Sequence, residues 1–95
     1  MTAEEREIIR KHIRTIREKM IGNHVVGRPR SEQIAALQAA VDAMQVYKHV
    51  SALPCERLSK VLQYHINNPE ACMFRDEVTL AALEAGAKAL EYLIT

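Results

Sequence analysis

Tryptophan is absent, phenylalanine occurs once, and aromatic residues make up only 4% of the chain. With 48% hydrophobic residues, the core must therefore be built from Leu, Ile, Val, Met and Ala. That fraction is too high for a disordered chain. Glycine and proline occur three times each, too few for a loop-rich or low-complexity protein. Two cysteines, Cys55 and Cys72, can form at most one bridge, which excludes a disulfide scaffold. No run approaches the ~18 apolar residues of a membrane span. The opening segment MTAEEREIIRKHIR has no apolar signal-peptide core. These absences predict a soluble cytoplasmic protein with reduced thiols and no membrane contact.

Catalytic and metal signatures are missing as well. There is no Gly-rich phosphate loop, no CxxC and no HExxH. The histidines His12, His24, His49 and His65 never fall three or four residues apart. Cys55, His65 and Cys72 are residue types that zinc accepts, but their spacing matches no finger. A helix N-terminus could activate Cys55 as a thiolate; with no basic partner in the pattern, a buried thiol is the expectation. No catalytic residue, metal site or cofactor is predicted. A helical-bundle enzyme, with carboxylates and arginines at its centre, is the least favoured class, because the apolar stripes carry almost no charge.

What is present is helical periodicity over one domain, residues 1–95. The pattern predicts an all-α bundle of four helices at about 2–21, 31–50, 54–66 and 76–94. Thr2 and Glu5 form a capping box. Ile9, Ile13, Ile16 and Met20 make a narrow stripe resembling a coiled-coil seam. Glu7–Lys11 and Arg14–Glu18 are helical ion pairs. Ser31 is a candidate cap for the second helix, which carries Ile34, Leu37, Val41 and Met44 and two ladders of alanines, widens its apolar face at Tyr47 and Val50, and is expected to be central. Pro54 suits the first turn of the third helix, where Leu58, Val61, Leu62, His65 and Ile66 share a side; Asn67-Asn68-Pro69 stops it. His65 is expected to be part-buried with a hydrogen-bond partner. Cys72, Met73 and Phe74 are expected to plug the bundle from a connector. Asp76 is a candidate cap for the fourth helix, whose seam is Leu80, Leu83, Ala87, Leu90 and Ile94. Gly86, interior to that helix, costs ~1 kcal/mol unless another helix packs closely on it. With the ladder Ala81, Ala85 and Ala89, it predicts close antiparallel packing of helices two and four.

Charge is uneven although the formal total is only +1. Residues 1–30 hold eight Lys/Arg against four Glu, a net of +4; residues 31–95 hold five against eight, a net of −3. Arg6, Arg10, Arg14 and Arg17 fall on one flank of the isoleucine seam. Arginine's planar fork binds carboxylates or phosphates bidentately, so the flank reads as a docking stripe or as a solvated, salt-bridged face. The loop Gly27-Arg28-Pro29-Arg30 resembles the centre of an AT-hook, a minor-groove segment of some chromatin proteins. The resemblance covers four residues, with Val26 where a basic residue is expected, and a hinge between helices explains the same sequence.

Two seams exceed the needs of one small bundle, so one is expected to be an interface, most simply of a homodimer. The favoured function is non-enzymatic: an inhibitor, adaptor or regulator binding another protein through Arg6, Arg10, Ile13, Arg14, Ile16, Arg17 and Met20. The alternative is nucleic-acid binding through Arg10, Arg14, Arg17, Arg28 and Arg30. Such compact, motif-free helical chains resemble accessory proteins of phages and mobile elements in style.

Overall fold

A computed structural model describes residues 1–21, 31–68 and 76–95. Among the described residues there are four helices: α1 (Ala3–Arg14), continued by a π-helical segment (Thr15–Met20), then α2 (Ser31–Val46), α3 (Cys55–Asn67) and α4 (Glu77–Leu93). The described residues contain no strand, and none of their helices is long and apolar enough to cross a membrane.

The local signals act where the sequence puts them. The Thr2 hydroxyl accepts from the Glu5 backbone N–H at 3.1 Å, and the Glu5 carboxylate accepts from the Thr2 N–H at 3.4 Å, completing the capping box. Pro54 precedes α3, and its carbonyl accepts from the Arg57 and Leu58 N–H groups. The Asn68 side chain donates to the Tyr64 carbonyl at 2.9 Å and closes α3. Asp76 caps α4 by accepting from the Thr79 N–H at 2.7 Å.

Three expectations are corrected. The first helix is not α-helical throughout: the Ile21 N–H donates to the Ile16 carbonyl, five residues back. The Thr15 hydroxyl also bonds back to the Lys11 carbonyl at 2.9 Å, a contact that loosens the regular ladder at that point. Ile16 and Met20 of this segment are both fully buried. The second helix stops at Val46, so Tyr47 and Val50 pack on the core from the following turn. The third concerns the direction of α2 and α4. They form the most extensive helix pair, with Gly86 facing Ala40, but they run in the same sense. Towards both C-terminal ends the rings of Tyr47 and Tyr92 meet at 5.5 Å between centroids. Two successive hairpins account for this. Cys55 at the start of α3 lies against the Tyr47 carbonyl, and His65 near its end lies against Thr79 at the start of α4, so α3 opposes both neighbours.

The core is aliphatic, as the composition demands. Ile16, Met20, Leu37, Met44, Leu58, Leu62, Leu83 and Leu90 are its large apolar members, and alanines of α2 and α4 fill the spaces between them. α4 is buried on most of its circumference and touches every other helix, so it shares the central place expected of α2. α1 and α3 do not touch; each packs on both α2 and α4. Residues 22–30, with the expected hinge and Arg28 and Arg30, and residues 69–75, with the expected plug Cys72, Met73 and Phe74, lie outside the described residues.

Candidate functional site

The predicted partner-binding residues separate into two groups along the first helix. Ile16 and Met20 are 0% exposed, packed in the protein's own core. This corrects the expectation that the whole seam is available to a partner: its second half is used internally. Arg6, Arg10 and Arg14 are exposed on α1, and Ile9 and Ile13 are half-buried. No residue of α1 is buried, although the helix is amphipathic. Ile8 stands 56% exposed beside Ile9 and next to a shallow hollow lined by Ile8, His12, Thr15 and Ala35. The apolar edge of α1 is thus incompletely covered by the bundle.

The arginines are held mainly by carboxylates of the same chain. Glu7 pairs with Arg10 at 3.4 Å and with Arg14 at 3.6 Å, in place of the expected pair with Lys11. Arg17 reaches across to α4, with Nη1 at 3.4 Å from Glu84 and Nη2 at 2.8 Å from Glu91. Its Nε is buried without a hydrogen-bond partner. Arg17 therefore acts first as a clamp between the first helix and α4. Lys19 pairs with Glu32 at 3.5 Å and ties the end of the π segment to the start of α2. Within α1 the cations Arg6, Arg10, Lys11 and Arg14 stand against Glu4, Glu5 and Glu7, a net of +1, so the described part of the stripe is only weakly positive.

A second polar cluster joins α3 to α4. Thr79, 1% exposed, donates its hydroxyl proton to Asp76 at 2.9 Å, which leaves a lone pair facing His65 Nε2 at 3.4 Å. In the tautomer with its proton on Nε2, His65 donates to Thr79. Tyr64 meets the His65 ring edge-on at 5.6 Å. Burial lowers the His65 pKa, with Asp76 opposing it in part. The hydrogen bonds from the Thr79 backbone and side chain hold the Asp76 carboxyl below its usual range, against burial. The order Asp–Thr–His differs from a hydrolytic triad, where the imidazole takes the hydroxyl proton. Here the carboxylate takes it, and the hydroxyl is sealed from solvent; the arrangement caps a helix. The expected histidine with a partner is present, and it is buried rather than part-buried. Thr79, the residue that links it to the cap, was signalled only by its place three residues after Asp76.

His12, half-buried in the hollow beside α1, also has a lowered pKa, from burial first and then from Lys11. Cys55 is buried, with Sγ 3.9 Å from the Tyr47 carbonyl. Among the described residues no group of three His, Cys, Asp or Glu side chains is placed to hold a metal ion. No family model, curated protein or solved structure matches the chain.

Proposed function

We propose that the protein works without catalysis, by binding another protein through the N-terminal half of α1. The observation that carries this reading is that α1 buries none of its residues despite its amphipathic pattern. An isolated helix of twelve residues is marginal in water, so it needs cover for its apolar side. The bundle supplies only part of that cover. Ile8 is the exposed apolar anchor of the proposed contact; Arg6, Arg10 and Arg14 lie on the opposite flank of the helix, beyond half-buried Ile9 and Ile13. Burying such an anchor gives affinity, while a charged rim mostly sets orientation and rate. The role is that of a cytoplasmic inhibitor, adaptor or regulator. The simplest partner is a second copy, joined about a two-fold axis.

Light scattering of the purified protein tests the homodimer first. A monomer directs the search to a foreign partner, captured from source cells. The captured protein should be lost with Ile8→Glu and weakened by Arg10→Glu with Arg14→Glu; retention by all of these variants rejects the surface. Exposed Arg6, Arg10, Lys11 and Arg14 support the second reading, phosphate contacts to nucleic acid. It requires duplex binding that falls steeply with salt.

A further inference from the structure

Three cations of the second half of the chain stand on and around α3, away from α1. Lys48, Arg57 and Lys60 are exposed, and none makes an ion pair among the described residues. Lys48 and Lys60 stand beside an open groove of about 760 Å³ between the C-terminal part of α2, the turn that follows, and α3. Arg57 and Lys60 stand beside an adjoining hollow of about 540 Å³ that also touches Tyr64. The first groove is lined on its apolar side by Val41, Met44, Leu53 and Pro54, with Leu53 39% exposed. Glu56 is its only acidic residue among those described, set against Lys48 and Lys60.

The groove thus combines an aliphatic floor with a cationic rim. Its α3 wall runs from Cys55 to Gln63, which at ~1.5 Å per residue is roughly 12 Å, or two turns of a docked helix. A helix of that length presents anchors at i, i+3 or i+4, and i+7 to such a trough. Nucleic acid fits less well, because among the described residues no Tyr, Phe or Trp lines the groove to stack a base. We propose that the groove between α2 and α3 docks an acidic amphipathic helix of a partner protein. Its apolar residues lie on Leu53 and Pro54, over the buried Val41 and Met44, and its carboxylates meet Lys48 and Lys60. This surface is separate from the one on α1, since α1 and α3 do not touch.

The probe is a fluorescein-labelled amphipathic peptide with leucine on one helical face and glutamate on the other, followed by fluorescence anisotropy at low salt. Saturable binding is expected. It should weaken by about tenfold or more in Lys48→Glu with Lys60→Glu, and likewise in Leu53→Glu, while Arg6→Glu with Arg10→Glu on α1 leaves it unchanged. The same peptide with lysine in place of glutamate should not bind. Circular dichroism checks that each variant folds, and Lys48→Ala with Lys60→Ala replaces the charge reversal if it does not. No saturation up to roughly 0.1 mM peptide, or equal binding by the lysine variants, overturns the proposal. Tighter, Lys48- and Lys60-dependent binding of a single-stranded oligonucleotide overturns it in favour of nucleic acid.

Discussion

A methyl group added at Gly86 would stand 2.6 Å from the Cβ of Ala40. Real Cβ atoms do not approach so closely, so one of the two helices would have to shift. This pair sets the separation of α2 and α4, and Leu62 of α3 closes over the same point at 3.6 Å. Glycine costs a helix interior ~1 kcal/mol, and here the cost is offset by the close approach it allows.

Gly86→Ala should therefore destabilise the protein by about 1 kcal/mol, the overpacking strain exceeding the gain in helix propensity. Gly86→Leu should cost considerably more. Urea unfolding is the measurement, and Ala40→Gly in the Gly86→Ala background should recover part of the loss, a coupling expected of residues in contact. A gain in stability on Gly86→Ala would mean that the helices are further apart.

Acidification should weaken the fold in two stages. The pKa values of His65 and His12 lie below their ordinary 6.5, so the unfolded chain binds protons first as pH falls through 6.5. Stability is full above that value and declines towards the folded-state pKa values. Asp76 acts lower: its folded pKa lies below the ordinary 3.8, so its contribution is present above 3.8 and is lost as pH falls past the depressed value. Urea midpoints between pH 7.5 and 5 should fall, and His65→Gln and His12→Gln should each flatten part of that slope. Asp76→Ala should cost ~1 kcal/mol at neutral pH through the lost cap.

Arg17 joins the first helix to α4 through Glu84 and Glu91, but its side chain is 36% exposed and those of the glutamates are 48% exposed. Solvent screening limits such a network, so Arg17→Ala should cost only about 0.5–1 kcal/mol, and less at high salt. Glu84→Gln with Glu91→Gln should cost a similar amount, and the two changes should not add. A loss unaffected by salt would assign Arg17's role to packing of its stem.

The helices, their caps and the aliphatic core were legible because they depend on local chemistry: Thr2 with Glu5, Asp76 before Thr79, and leucines at helical spacing. Gly86 was legible as a place of close approach because an interior glycine otherwise costs stability. The direction of α2 and α4 was not, since alanine ladders fit either sense; the sense follows from the two hairpins around α3. The π-helical turn at Thr15–Met20 was hidden because an α-helical wheel already puts Ile16 and Met20 on the seam. The role of Arg17 was not legible for a different reason. Periodicity places Arg17 beside Arg14, but only folding brings Glu84 and Glu91 to it. The Lys48–Lys60 groove joins residues from two elements that the net negative charge of residues 31–95 obscured.

The central claim is that the uncovered edge of α1 is the working surface. Its most direct test is a photo-crosslinking residue at position 8, compared in source cells with one at the exposed Gln38 of α2. The account predicts one discrete adduct from position 8, either with a second copy or with a single other protein, and none from position 38. No adduct from position 8, or the same products from both positions, would contradict it.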